Sequence, residues 1–305
     1  MNPNKLKVAI LTALNEELQA VKSHLIECEI VKEKGVIYER GTFIHNDEEI
    51  AEVTIKMTGA KNVNASKGTS DMIHHFGDRY FDAIFYTGIA GSRKDFKVGD
   101  VICADTVLNY DGKKSLETRD NFRPDAKTFT EDLKQFTQEA QITKQWQDFL
   151  PNNIVSIIEI VKSKAKTKDG LEIENTEYEL LSFDTLEIDT GIIASGESVI
   201  EHSKSSVGEL LTQAYDNAQV VEMEGFGFAK SALEHTTQTR IEYVGLVRGI
   251  SDKIKKTSLT DAQENPLPDN RPKEVKDLAS ATAAAYTYYL IYKIFETRES
   301  EKKNS

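Results

Sequence analysis

Short apolar runs alternate along this chain with segments of helical period. Residues 7–13, KVAILTA, are rich in branched side chains and read as a buried strand. NEELQAVKSHL follows with Leu18, Val21 and Leu25 at helical spacing, Asn15 in the N-cap region and Glu16 and Glu17 in the first turn. YERGTFIH and EEIAEVTIKMTGA predict an antiparallel pair that turns at Asn46 and Asp47. NASKGTSDMIHHF predicts a helix with Ala65, Met72, Ile73 and Phe76 on one face, and FDAIFYTGIAG and KVGDVICADTVL predict two further strands. KTFTEDLKQFTQEAQITKQWQDFL predicts one amphipathic helix from the spacing of Phe129, Leu133, Phe136, Ala140 and Trp146, and KTKDG predicts a turn. Three more apolar runs, IDTGIIASGES, AQVVEME and RIEYVGLVRGIS, end at small or polar residues, and KEVKDLASATAAAYTYYLIYKIFE predicts a long closing helix. The pattern predicts one α/β domain over 1–296, three layers deep, with a mixed central sheet flanked by helices and an elaborated middle region at about 105–187. The tail 297–305, TRESEKKNS, is expected to be disordered.

Composition narrows the function classes. A net charge of −12 over 305 residues argues against nucleic-acid backbones as partners. Cys28 and Cys103 are the only cysteines, so neither a disulfide framework nor a Cys-rich zinc site is expected, and Cys103 inside an apolar run reads as core. The N-terminal apolar run is too short for a signal peptide or a membrane span, so a cytoplasmic protein with no membrane partner is expected. No paired-histidine motif points to a metal; His74 and His75 read as structural or solvated.

Polar or glycine clusters stand at the ends of several predicted strands: Asn15–Glu17, Gly88–Ser92, Ser195–Ser198, Glu224 and Arg248–Asp252. Ligands of open α/β sheets bind beyond the carboxyl ends of strands, so these clusters predict a composite pocket, although loops after strands are commonly polar. The glycine motifs of mono- and dinucleotide sites are missing; GFGFAK holds half of one, and its glycines read as permitting close helix packing.

VAILTALNEELQAV, TGAKNVNAS, YTGIAGSRKDFKVGDVI, ASGESVI, VVEMEGFGF and LVRGISDK occur in this order, over about 6–104 and 188–290. Together they resemble the nucleoside phosphorylase/nucleosidase superfamily. The branch they most resemble is the methylthioadenosine/S-adenosylhomocysteine nucleosidases, with related domains of bacterial signalling and antiviral-defence proteins, some of which cleave ATP. The resemblance implies cleavage of a purine N-glycosidic bond without a cofactor or metal, an adenine nucleoside or nucleotide as substrate, and a homo-oligomer.

Residue by residue, the resemblance implies that Asp252 is the general acid at purine N7, with Ser251 orienting it; donation near neutral pH requires a protonated carboxyl, which burial favours. Glu17 matches the acid that activates water, though a first-turn acid also suits the helix dipole, and Glu16 fits that bland role better. Glu224 matches the acid that grips the ribose diol, Met223 the residue under the sugar, and Arg248 a partner that holds Glu224. Val199 and Ile200 match positions whose backbone binds the purine edge; the stacking aromatic common at the Val199 position is absent. Ala90 and Gly91 let the backbone approach the base. Glu222 has no assigned role; a backbone or arginine partner inside the fold is one option.

Phosphorolysis needs a phosphate site. Arg40, Arg93 and Lys94 are candidates, whereas an apolar Ile89 argues for hydrolysis. Arg93, Lys94, Lys204 and Lys253, with Lys255 and Lys256 beyond, are candidate contacts for substrate phosphates; the bland alternative is a solvated loop face. A phosphate-using purine nucleoside phosphorylase and a catalytically silent purine-nucleotide sensor remain as alternatives.

Overall fold

Both faces of the first strand are buried. In β1 (Leu6–Thr12), Leu6, Val8 and Ile10 enter one hydrophobic core, while Ala9 and Leu11 enter another. Two-sided burial is why the strand reads as an unbroken apolar run. The computed structural model describes residues 5–304 apart from 78, 116–119, 124, 166, 169–170, 173–177, 179, 201–202, 236–240 and 255–272.

After β1 come α1 (Asn15–Lys22), β2 (Leu25–Glu33), β3 (Val36–His45), β4 (Glu48–Met57), α2 (Asn62–Phe76), β5 (Ala83–Ser92) and β6 (Val101–Asn109). The middle region adds β7 (Lys113–Ser115), β8 (Asp120–Phe122), β9 (Asp125–Thr128), α3 (Glu131–Thr143), a 3-10 turn (Gln145–Phe149), α4 (Ile154–Ala165), β10 (Thr167–Lys168) and β11 (Leu171–Glu172). A second 3-10 turn (Phe183–Thr185) leads to β12 (Ile188–Ser195), α5 (Ser206–Ala214), β13 (Val220–Glu222), α6 (Gly225–His235), β14 (Tyr243–Lys253) and α7 (Lys273–Asn304).

The main sheet runs β13–β12–β6–β14–β5–β1–β4–β3–β2, with β9 also on β6. It is mixed: β4, β1, β5 and β14 are parallel neighbours, β6 is antiparallel to β14, and β2–β3–β4 is an antiparallel meander. β13 also pairs with β5, which closes β13, β12, β6, β14 and β5 into a ring. Helices α1, α3, α4 and α7 bury their apolar faces against one side of the sheet, and α2 and α6 against the other, giving the three layers. The middle region contributes Leu133, Trp146, Phe149 and Ile158 to the same core as β1. Among the described residues, no helix is long and apolar enough to cross a membrane.

Three boundaries differ from the sequence pattern. The first helix stops at Lys22, and Leu25 opens β2, an edge strand whose Ile30 is 75% exposed, so Leu25 belongs to a strand and not to the helical stripe. The helix through the middle region breaks at Lys144, which takes a left-handed φ of 55°, and Trp146 is buried from a separate 3-10 turn. The C-terminal segment is helical to Asn304 instead of disordered from 297; Arg298 ties it to the sheet through Asp82 at 3.0 Å and to Glu242 at 2.8 Å. At the β3–β4 hairpin Asn46 and Asp47 both adopt positive φ, the twist-matched two-residue turn that their side chains tolerate.

α7 crosses β14 where β14 has no side chain. A Cβ on Gly249 would lie 1.9 Å from the Ala279 carbonyl oxygen, so the helix backbone rests directly on the strand. Gly249→Ala should therefore cost about 2 kcal/mol or more, toward the upper part of the range for overpacking. Urea unfolding measures it; a loss under about 0.5 kcal/mol would show that the helix yields easily at this point.

Candidate active site

Register brings the strand-end clusters together. β1, β5 and β14 run parallel and end at one edge, and β13 packs antiparallel on the end of β5 with Val221 opposite Gly91. β12 ends beside β13, with Ser195 opposite Glu222. A cleft of about 210 Å³ opens there, lined by Leu14, Glu17, Ile89–Gly91, Ser198–Ile200, Val221–Glu224, Ser251, Asp252 and Lys276, among others.

Arg248 is fully buried behind the cleft's Glu222 and Glu224. Its Nη2 makes a short ion pair with Glu222 Oε2 and reaches Glu224 Oε2 at 3.3 Å, and its guanidinium lies 4.9 Å from the Tyr86 ring centroid. Burial alone would lower the Arg248 pKa, yet Glu222 and Glu224 hold it above its ordinary value. Glu222 thus has a role after all. Its Oε2 accepts the Arg248 proton and the backbone N–H groups of Glu224 (3.0 Å) and Gly225 (2.7 Å), so it fixes both the arginine and the start of α6. Arg248 serves Glu222 first and Glu224 second.

Glu224 is also held from α2. Its Oε1 accepts the Lys61 N–H at 2.9 Å, and Lys61 takes a φ of 88° to present it. That backbone region is strained for any residue but glycine, at about 1–3 kcal/mol. Burial raises the Glu224 pKa to about 7 against the pull of Arg248. Met223, half-buried, lies between the two acids on the cleft wall.

Glu17 is the third buried carboxylate. Its Oε2 accepts the Ala13 and Leu14 N–H groups (2.7 and 2.8 Å), and its Oε1 accepts the Ile89 N–H at 2.9 Å. The bond to Leu14 is a helix-cap contact, so Glu17 also secures the start of α1. Burial raises its pKa, partly offset by Arg248 and these amides. The site requires Gly88: a Cβ there would lie 2.1 Å from Arg248 Nη1 and 2.6 Å from Glu17 Oε1.

The β14–β5 register slips between Ile250 and Asp252. This irregularity turns Asp252, half-buried, into the cleft, as bulges beside binding sites do. Ser251 donates to Asp252 Oδ1 at 2.7 Å, and Oδ2 lies over Gly91, 3.3 Å from where a Cβ would stand. Ser251 also approaches the Ala90 carbonyl at 3.4 Å. Val199 is exposed at the rim, while Ile200 is buried behind it.

The other basic candidates lie elsewhere. Arg93 and Lys94 line a neighbouring cavity of about 350 Å³. Arg93 donates to the Tyr215 and Ala218 carbonyls, and Lys94 pairs with Asp216 at 3.1 Å. Arg40 sits on β3 beside Glu52. Lys204 is exposed before α5, and Lys253, the last residue of β14, does not line the cleft. Lys255 and Lys256 lie outside the described residues. Lys276 does line it; in the first turns of a long helix it carries no sequence signal beyond a solvated charge. No cluster of His, Cys, Asp and Glu among the described residues could hold a metal.

The family model of the phosphorylase superfamily matches residues 7–291. The chain belongs to that superfamily. A 5′-methylthioadenosine/S-adenosylhomocysteine nucleosidase of Desulfotalea psychrophila is 26% identical over 273 residues, covering 89% of this chain and 94% of that one. Among solved structures, a nucleosidase of the same description from Colwellia psychrerythraea 34H, in complex with adenine, matches with a TM-score of 0.60 at 18% identity, over 94% and 95% of the two chains. Futalosine hydrolase of Helicobacter pylori also matches at 0.60 and 18%, over 94% and 98%. The two structures share this superfamily fold.

Glu224 titrates near 7 when folded, against about 4.5 as an ordinary carboxyl, so the folded protein binds this proton more tightly. Its contribution favours folding at low pH and is lost as the pH rises from about 4.5 through about 7. The wild type should therefore lose stability relative to Glu224→Gln between about pH 5 and 8, by urea unfolding. A difference independent of pH would show that Glu224 is ionised throughout.

Proposed function

We propose that this chain is an N-glycosyl hydrolase that releases adenine from adenine nucleosides or nucleotides. The observation that carries the reading is the convergence of Glu17, Glu224 and Asp252 on one cleft, with Met223 beside them. The names of the relatives support the same chemistry.

In this reading the C1′–N9 bond breaks, its electron pair leaves with the base, and Asp252 gives a proton to N7. Ser251 holds Oδ1, so the donor is the oxygen over Gly91. The sugar gains oxocarbenium character over Met223 and Glu224. Glu224 takes two hydrogen bonds from the 2′- and 3′-hydroxyls, and its charge lies near the forming cation. Water attacks C1′ and passes a proton to Glu17. The raised pKa makes Glu17 a stronger base than an ordinary carboxylate. The products are adenine and the free sugar.

Adenine release is followed with purified protein, with and without added phosphate, on adenosine, 5′-methylthioadenosine and AMP. Release without phosphate is expected. Asp252→Asn and Glu17→Gln should each lower kcat by about 10²-fold or more. Full activity in Asp252→Asn would remove the acid assignment, and product that forms only with phosphate would replace hydrolysis by phosphorolysis.

A further inference from the structure

Tyr86, on β5, touches three of the groups that hold Glu224. Its side chain is wholly buried. Its ring lies against the Arg248 guanidinium, 4.9 Å from the centroid, and Arg248 Nη2 reaches Glu224 Oε2 at 3.3 Å. The same ring meets Phe228 edge-on, with the centroids 5.5 Å apart. Phe228 stands one turn after Glu224, and its N–H donates to the Glu224 carbonyl at 3.0 Å. The Tyr86 hydroxyl lies 2.7 Å from Thr58 Oγ1. Thr58 opens the connection from β4 to α2, and that connection ends at Lys61, whose N–H donates to Glu224 Oε1 at 2.9 Å.

This connection is conformationally demanding. Gly59 and Lys61 take φ of 79° and 88°, and a non-glycine residue stays in that region only where its surroundings fix it. Thr58 is well fixed. Its N–H donates to the Thr12 carbonyl at 2.8 Å, and its methyl occupies the space that Gly68 leaves, 2.4 Å from where a Cβ would stand. Thr58 Oγ1 has one proton and two backbone carbonyls in reach, Gly59 at 2.9 Å and Thr12 at 3.2 Å. Its lone pairs are therefore left for the phenol proton. Burial, and then nearby Glu224, hold the Tyr86 pKa well above its ordinary value, so the phenol keeps that proton.

We propose that Tyr86 is a positioning residue that sets the Glu224 carboxyl for the ribose diol, and so tunes selectivity for ribonucleosides over 2′-deoxyribonucleosides. The inference rests on the nucleosidase reading. Arg248 holds one oxygen of Glu224 and the Lys61 N–H holds the other. One rigid side chain braces both holders, by its ring and by its hydroxyl. A carboxyl fixed at both oxygens presents its remaining lone pairs in one geometry, and only a sugar with both hydroxyls uses all of it.

The competing role is packing alone, which would act on every substrate alike. The test compares kcat/KM for adenine release from adenosine, 5′-methylthioadenosine and 2′-deoxyadenosine in wild type, Tyr86→Phe, Thr58→Val and the double variant, with urea unfolding to confirm that each is folded. Tyr86→Phe keeps the ring against Arg248 and removes the hydroxyl; Thr58→Val keeps the shape and removes its partner. Either change should lower the ratio of adenosine to 2′-deoxyadenosine by about fivefold, the worth of one hydrogen bond. 5′-Methylthioadenosine, which carries the same diol, should fall with adenosine. The double variant should fall no further than Thr58→Val, because both changes remove the same hydrogen bond. Equal changes for all three substrates, no change, or an additive double variant overturn the inference and leave the nucleosidase reading intact. No adenine release from any substrate in wild type overturns both.

Discussion

The site is organised around one buried cation among three buried carboxylates. Arg248 lies under Glu222, Glu224 and Glu17, with an aromatic ring beneath its own guanidinium. Each of these acids also takes backbone N–H groups: two at Glu222, one at Glu224 and three at Glu17. A buried charge with so many donors is costly to remove singly, because every remaining member loses its compensation. The donors stand at the starts of α1, α2 and α6 and on β5, so the cluster ties four elements to β14. Burial raises the pKa values of Glu17 and Glu224, and Arg248 offsets that rise only in part. The structural knot and the proton chemistry have the same origin.

Close backbone approach makes this cluster possible. Gly88 admits Arg248 and Glu17, Gly249 admits the Ala279 carbonyl, and Gly227 admits Asn62, whose carbonyl oxygen would lie 2.0 Å from a Cβ. Asn62 and Ser195 complete the start of α6: Asn62 Oδ1 accepts from Gly227 N–H and Ser195 Oγ, and Ser195 Oγ accepts from Phe226 N–H. The helix that follows Glu224 is thereby anchored to α2 and β12, and Glu224 with it. Each glycine replaces a side chain by a backbone or a charged group, so the layer spacing near the site is set by main chain.

Much of this was legible in the sequence. Apolar runs located β1, β5, β6, β12, β13 and β14 because burial on both faces leaves each with a continuous stretch of mostly apolar residues. The strand-end clusters pointed to one pocket because parallel strands deliver their ends to one edge. The motif GFGFAK was rightly assigned to close packing. What sequence could not supply depends on distant contacts. Glu222 reads like any acid until Arg248, 26 residues later, is seen beneath it. β2 was lost because an exposed edge strand has no periodic burial to betray it. The helical end of α7 was lost because TRESEKKNS is polar throughout, and its order depends on Arg298 reaching Asp82 far back in the chain. Arg93 and Lys94 follow the glycine loop as phosphate ligands would, yet they turn into the α5–β13 connection. Lys276 was invisible because a charge at a helix start is ordinary.

The distribution of cations bears on the choice between water and phosphate. Arg248 is committed to carboxylates, Arg93 to two carbonyls and Arg40 to Glu52. None of these presents a free face to the cleft where Glu17 stands. A phosphate placed there would meet the Glu17–Glu224 wall of carboxyl groups, and Ile89 adds no hydroxyl to hold it. Water carries no charge into that wall, and in the proposed reaction Glu17 takes its proton. The same acids that make the pocket hostile to a phosphate nucleophile suit it to a cationic sugar, and that asymmetry is the physical reason to favour hydrolysis.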